Sequence, residues 1–339
     1  MREPSFWWTK PGLAAWLLQP AAMVYGAVAA SRLRRPGARA GIPVICIGNF
    51  TLGGTGKTPT AIAVARLLTQ NGKAPFVLSR GYGGRLAGPV RVDPAIHNAA
   101  DVGDEPLLLA RHVPTIVAHD RVAGAAFARE AGADVIVMDD GLQNPSLHKD
   151  LTIAVIDVRR GIGNEFVFPA GPLRAPLNAQ LEKVHCILLI GDGRQTPTAI
   201  AGMTHAQRPL LRGRLEPDGN VIKGLGRRKL LAFAGIGDPE KFFMTLAATG
   251  LEAVAEESFA DHHPYTAADA ERLLALAEGK NLIPVTTEKD AVRLSGSNSA
   301  IAKLLAKTRT IPVTLVFEDS AAVNKLVLRA HQTPSRDKG

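Results

Sequence analysis

Short, unbroken apolar runs alternate with amphipathic stretches through most of the chain. IPVICIG (42–48), APFVLS (74–79), PTIVA (114–118), DVIVM (134–138), LTIAVID (151–157) and HCILLIG (185–191) have the length and the Val/Ile content of strands. None of them alternates polar and apolar positions, so both faces of each strand are expected to be covered. Between them, apolar positions recur at helical spacing from about Lys57 through residue 72, over 103–113 and over 121–133. Such an alternation of strand and helix predicts a parallel sheet with helices on both faces.

The texture changes around residues 205–228, where short, charged and Gly-rich pieces read as a linker. A second, smaller α/β unit is expected after it. Its strands are KLLAFAGI (229–236), LEAVAEESF (251–259) and NLIPVTT (281–287), with helices beginning near Pro239 and Thr266. The expected division is 1–38 for an N-terminal helix and basic linker, 39–210 for the first α/β domain, 211–325 for the second, and 326–339 for a tail.

No charge falls between Lys10 and Arg32. As a single helix, PGLAAWLLQPAAMVYGAVAAS (11–31) would measure about 30 Å, close to the thickness of a bilayer core. Its Ala and Gly content, Gln19 and Pro20 weaken a span. Trp7, Trp8 and Trp16 cluster at one end, and Arg32, Arg34, Arg35 and Arg39 follow the other. Indole rings settle at headgroup depth and cations seek anionic lipid. The expectation is a helix associated with the cytoplasmic face of a membrane, with packing on the protein's own core as the alternative. A cleaved signal peptide fits poorly with the basic SRLRRPGAR that follows.

The whole chain has 339 residues, is 46% hydrophobic and carries a net charge of +9, which suits anionic partners. Nucleic acid is not an expected partner: aromatic residues are only 5% and no binding module accompanies the charge. Cys46 and Cys186 both sit inside apolar strands, so neither a disulfide nor a metal site is expected.

The chemistry starts at GNFTLGGTGKTPT (48–60), which joins a strand to a helix. Gly53, Gly54 and Gly56 let backbone N–H groups approach phosphate oxygens, and the helix start adds its own unpaired donors. Thr51, Leu52 and Thr55 complete the loop, with Thr51 where a P-loop ordinarily opens on Gly. Lys57 is placed to neutralise the β- and γ-phosphates of ATP, and Thr58 to put its hydroxyl on Mg²⁺. DVIVMDDG ends a strand on Asp139 and Asp140, where P-loop proteins keep the acid that serves Mg²⁺. Asp104, at a predicted helix start, reads equally well as a helix cap or as an acid-base group. Arg80, Arg121 and Arg174 are candidate phosphate contacts or structural arginines. Asp261, His262 and His263 stand together, but no further ligand cluster has zinc spacing. AGIGDP in the second unit is a poor match to a dinucleotide loop, lacking the third glycine.

Behind the P-loop, VGDEP (102–106), AHDR (118–121), DDGLQN (139–144), FPAGPLR (168–174), FADHHPY (259–265) and TTEKDAVRL (286–294) occur in this order. The set resembles the tetraacyldisaccharide 4'-kinases of lipid A synthesis, over nearly the whole chain. The resemblance implies an enzyme at the cytoplasmic face of the inner membrane. It would move the γ-phosphate of ATP onto the 4'-hydroxyl of an acylated glucosamine disaccharide phosphate. It further implies that Asp104 is the base, that His262 tunes or orients it across a domain cleft, and that the Gln143 loop contacts phosphate or substrate. Leu142, Asn144 and the pair Lys149–Asp150 depart from the family's usual Phe, His and Arg–Asp. A P-loop ATPase that drives a partner protein is the competing class. It needs neither a lipid-seeking helix nor an acceptor-side histidine.

Overall fold

The computed structural model describes residues 3–191, 200, 202, 208–294 and 299–332. The apolar runs form strands β1 (Val44–Gly48), β2 (Pro75–Ser79), β4 (Thr115–Val117), β5 (Val135–Asp139), β6 (Leu151–Asp157) and β7 (Cys186–Ile190), with a short β3 (Val90–Arg91) after β2. With β8 (Leu210–Pro217) and β13 (Val313–Phe317) they build a nine-stranded sheet in the order β13-β8-β7-β6-β1-β5-β2-β4-β3. The pairings from β8 through β4 are parallel, and only the edge strands β3 and β13 run antiparallel. All five residues of β1, β2, β5 and β7 are buried, as expected for strands covered on both faces.

A second sheet, order β10-β9-β11-β12, is parallel throughout. It contains β9 (Leu230–Ala234), β10 (Ala253–Ser258), β11 (Ile283–Thr287) and β12 (Arg309–Ile311). Two hydrophobic clusters line it, one around Phe242 and Leu246, the other around Phe233 and Leu273. The architecture is therefore α/β, with a mostly parallel main sheet and a smaller second one.

The sheets do not divide where 211 and 325 would cut the chain. The stretch expected to be linker contributes β8, and the chain returns after β12 to add β13 beside it. The Ser320–Gln332 helix then packs on the Lys57–Gln70 helix, with Val323 and Val327 in the main core. Strand β8 escaped notice because it lies near an edge. Arg212 and Arg214 interrupt its apolar positions, and no continuous run marks it. Residues 326–332 of the expected tail are helical, and 333–339 lie outside the described residues, as do 205–207 of the expected linker.

The N-terminal segment is not one helix. It breaks at Leu18 into Leu13–Leu17 and Gln19–Leu33, with Pro20 in the first turn of the second helix. Among the described residues no helix is long and apolar enough to cross a membrane. Of the three tryptophans, only Trp16 faces outward. Trp7 is buried and donates its ring N–H to the Pro169 carbonyl at 3.0 Å, and Trp8 lies under the Arg160 guanidinium. Cys46 and Cys186 are free and buried, and burial pushes both thiols up to about 12.

Candidate active site

The P-loop joins β1 to the Lys57–Gln70 helix. Gly53 and Gly56 both have φ near +92°, in the left-handed region that favours glycine. A Cβ on Gly56 would sit 2.9 Å from Ile190 Cδ1, and one on Gly53 would collide with the Glu3 carboxylate. Gly56 caps the helix without any side-chain hydrogen bond, so the first-turn N–H groups have no side chain standing over them. The Thr55 hydroxyl is buried without a hydrogen-bond partner. Polar groups of this kind, left open at a helix start, fit an anionic ligand.

Lys57 is 9% exposed and its Nζ lies 3.7 Å from Asp140 Oδ1. Asp140 ends β5's turn in a left-handed conformation, φ +50°, which costs a non-glycine residue free energy. Arg174 holds it, with Nη1 at 2.9 Å and 3.0 Å from the two carboxylate oxygens. The same guanidinium donates through Nε to the Thr51 carbonyl. Arg174 therefore ties the acid to the P-loop. Burial opposes ionisation of Asp140, but Lys57 and Arg174 outweigh it and bring the carboxyl down to about 2.

Asp139 behaves oppositely. Burial, with the like charges of Glu105 and Asp140, pushes its carboxyl up to about 7, and its Oδ1 has no hydrogen-bond partner. Two adjacent acids, one of them an orphaned buried oxygen, close behind Lys57 and Thr58, fit a divalent cation. Among the described residues no cluster of three or more His, Cys, Asp or Glu could hold a metal by itself. That matches the habit of Mg²⁺, which takes one or two protein ligands and completes its shell with water and phosphate oxygens.

Asp104 begins the Asp104–Ala110 helix and is almost fully buried. Its Oδ2 lies 2.9 Å from His262 Nδ1, and its Oδ1 accepts from the Glu105 N–H at 2.9 Å. Arg293 donates from Nε to Oδ2 at 2.6 Å, with Nη2 at the same distance. Burial works against the Asp104 carboxylate, yet the His262 hydrogen bond and the Lys289 and Arg293 cations hold it far below the usual carboxylate range. His262 sits at φ +57°, again left-handed, with the Tyr82 ring edge-on to it. On its other side, Nε2 lies 3.4 Å from Lys289 Nζ. The same ring nitrogen lies 3.7 Å from Asp261 Oδ2, while Nδ1 faces Asp104. Asp104, His262, Tyr82, Tyr265 and Arg293 line one cavity of about 450 Å³.

Glu105 turns the other way. It accepts from Lys289 Nζ at 3.0 Å, and the Lys289 and Lys57 cations lower its carboxyl against burial. The charge of the P-loop lysine is therefore felt at the acid next to Asp104.

Three further candidate residues take less direct places. Arg121 is buried, bonded to the Ala118 carbonyl, and burial lowers it to about 10 while Asp139 opposes. Its Nε has no hydrogen-bond partner. Arg80 is exposed. The Gln143 amide is committed within the protein, to the Asn49 carbonyl at 2.8 Å and to Gln180 Oε1 at 2.7 Å, so it braces β1's end from beneath. In AGIGDP, Gly237 closes on Gly54 of the P-loop, and Asp238 pairs with Arg159 and Arg160. Sequence reasoning passed over Lys289 and Arg293 although TTEKDAVRL was in view. Their spacing of four, which puts two cations on one helix face, was the signal available.

A family model described as tetraacyldisaccharide-1-P 4'-kinase matches residues 14–332. The chain belongs to that family. Two relatives carry the name tetraacyldisaccharide 4'-kinase. One, from Bradyrhizobium sp. (strain ORS 278), is 52% identical over 97% of this chain and 98% of its own. The other, from Rhodopseudomonas palustris (strain BisB18), is 52% identical over 100% and 98%. Among solved structures, the apo form of LpxK from Aquifex aeolicus in complex with ATP superposes with a TM-score of 0.72 at 24% identity. It covers 94% of this chain and 100% of that one, and shares its fold. The motifs that carried the resemblance thus belong to a family whose model spans both sheets.

Proposed function

We infer that the protein is a tetraacyldisaccharide 4'-kinase. It transfers the γ-phosphate of ATP to the 4'-hydroxyl of a tetraacylated glucosamine disaccharide 1-phosphate, a lipid A precursor. Family membership gives the reaction class, and one observation supports the assignment of roles: an ionised carboxylate, Asp104, is held by an imidazole from the second unit, next to an acid that the Lys57 charge reaches.

The P-loop N–H groups and Lys57 bind the β- and γ-phosphates. Asp139, Asp140 and Thr58 are the residues that would hold Mg²⁺, which when bound neutralises phosphate charge. Asp104 accepts the proton of the 4'-hydroxyl as that oxygen attacks the γ-phosphorus. The bond from phosphorus to the β–γ bridging oxygen breaks, and ADP leaves. Oδ1 is the less committed oxygen of Asp104 and is the one assigned to receive the proton. A carboxylate this acidic is a weak base. Its use is consistent with a loose transition state, in which the proton moves late. Arg80, Arg121 and Arg174 are the candidate phosphate contacts, and Arg174 also fixes Asp140.

The protein's place is proposed at the cytoplasmic face of the inner membrane. The N-terminal helices leave Leu13, Leu17, Met23, Val24 and Val28 exposed, with Arg32, Arg34 and Arg35 close behind. An apolar face edged with cations supports rest on an anionic bilayer surface. The deciding experiment is incubation with γ-labelled ATP, Mg²⁺ and tetraacyldisaccharide 1-phosphate, followed by location of the new phosphate. Label at the 4' position is expected. Release of inorganic phosphate without labelled lipid would overturn the assignment.

A further inference from the structure

The base candidate has a third partner that no motif role accounts for. Arg293 closes the Glu288–Arg293 helix, and its side chain is 5% exposed. The second unit fixes it from behind. Nη1 donates to the Gly235 carbonyl at 2.6 Å and to Asp290 Oδ1 at 3.0 Å. Asp290 is itself immobilised, accepting from the Gly235 N–H, the Tyr265 hydroxyl and the Thr287 hydroxyl. The guanidinium thus has Nη1 locked to its own unit, while Nε donates to Asp104 Oδ2 of the other unit and Nη2 lies 2.6 Å from that same oxygen without a hydrogen bond. One helical turn earlier on the same face, Lys289 reaches Glu105 and His262. Two successive acids of one unit meet two cations of the other.

We propose that Arg293 is a positioning residue of the phosphoryl transfer: its guanidinium fork, locked by Asp290 and Gly235, sets the orientation of the Asp104 carboxylate when the two units close. This rests on the reading of Asp104 as the base. Oδ2 is taken up by Arg293 and His262 together, so Oδ1 is the oxygen directed at the acceptor hydroxyl. A guanidinium is suited to the task because Nη1 can be anchored to Gly235 and Asp290 while Nε donates in the plane so fixed, whereas an ammonium fixes distance but not direction. Arg293 touches the base and is not assigned any contact with the reacting atoms.

The test uses the full chain with ATP, Mg²⁺ and tetraacyldisaccharide 1-phosphate in detergent micelles, and compares Arg293→Gln and Arg293→Lys with Asp104→Asn. Misaligning a reacting group by about 1 Å costs on the order of 100-fold in rate. For Arg293→Gln, kcat is expected to fall by roughly that factor, with the KM for ATP changed less than about threefold. Loss of a cation beside Asp104 also raises the pH at which the carboxylate ionises. The acid limb of the kcat profile should therefore move up in Arg293→Gln, a shift that plain loss of fold would not produce. Arg293→Lys keeps the charge and loses the fork. It should leave the acid limb near its wild-type place and still lower kcat about tenfold. A folded Arg293→Gln enzyme with wild-type kcat, or with higher kcat, overturns the proposal. So does a loss of kcat with an unmoved acid limb. Should Arg293→Gln fail to fold, Arg293→Lys decides: a lowered kcat at unchanged ATP KM supports the proposal and a wild-type kcat sinks it. If Asp104→Asn itself turns over normally, the reading of Asp104 as base fails, and this inference with it. If only Asp104→Asn is impaired, this inference alone fails.

Discussion

His262 Nδ1 lies 2.9 Å from Asp104 Oδ2, although the two residues stand 158 positions apart and belong to different sheets. In the proposed mechanism the contact makes the second unit part of the reaction centre of the first. If the pair works as one device, its losses should not add. Asp104→Ala and His262→Ala should each lower kcat by roughly 10²- to 10³-fold, more than they raise the KM for ATP, and the double variant should be little worse than the poorer single. Steady-state kinetics on all three variants checks this. Multiplicative losses would mean that they act independently.

Lys57 is buried against Asp140 at the foot of the P-loop. Lys57→Ala should nearly abolish phosphoryl transfer, by about 10³-fold or more, because the cation on the β- and γ-phosphates is lost. Arg174 still holds Asp140, so the fold should survive. Activity measured alongside thermal unfolding separates the two effects, and near-normal turnover in the folded variant would end the P-loop assignment.

Asp139 gives a pH prediction for the nucleotide-free protein in chelator. Its folded-state carboxyl is raised to about 7, above its unfolded value, by burial and by the charges of Glu105 and Asp140. The native state therefore binds more protons than the unfolded chain between those two values. Stability is lost as pH rises through that window. Asp139→Asn removes the penalty, so it should stabilise the protein by roughly 1–2 kcal/mol at pH 8 and by much less at pH 4. Unfolding curves at both pH values test it. An equal effect at the two would show that the carboxyl ionises normally.

Binding to lipid is best tested without deleting the N-terminal segment, because Trp7 and Leu33 are buried and their loss would damage the fold. Leu17 and Val24 are 71% and 68% exposed. Replacing both by Gln should reduce cosedimentation with anionic vesicles by about tenfold or more, since two buried apolar side chains are lost at a lipid surface, while the melting temperature stays within about 2 °C. Undiminished sedimentation would place the lipid contact elsewhere.

The sequence by itself determined what is local. A strand, a glycine-rich turn and a helix start lie within one short stretch around Lys57, and each is dictated by nearby residues: apolar Ile45 and Ile47, the left-handed Gly53 and Gly56, the open helix end. The fully buried strands were legible for the same reason, because a continuous apolar run needs no partner to be recognised. Strands β8 and β13 were not, because Arg212, Arg214 and Glu216 interrupt β8 and its pairing with β13 joins segments about a hundred residues apart. That the Gln143 Nε2 is spent on Asn49 and Gln180 could not be read from the sequence, since only packing tells which way an amide turns. The residues alone left Asp104 open between a cap and an acid-base group, and only the resemblance pointed to His262. Asp104 and Glu105 are both acids at the start of one helix, and local chemistry offers each the same capping role. What separates them is the second unit, which lays His262 and Arg293 on one and Lys289 on the other. A carboxylate's orientation and charge depend on groups within a few ångströms in space, and here those groups come from the far end of the chain.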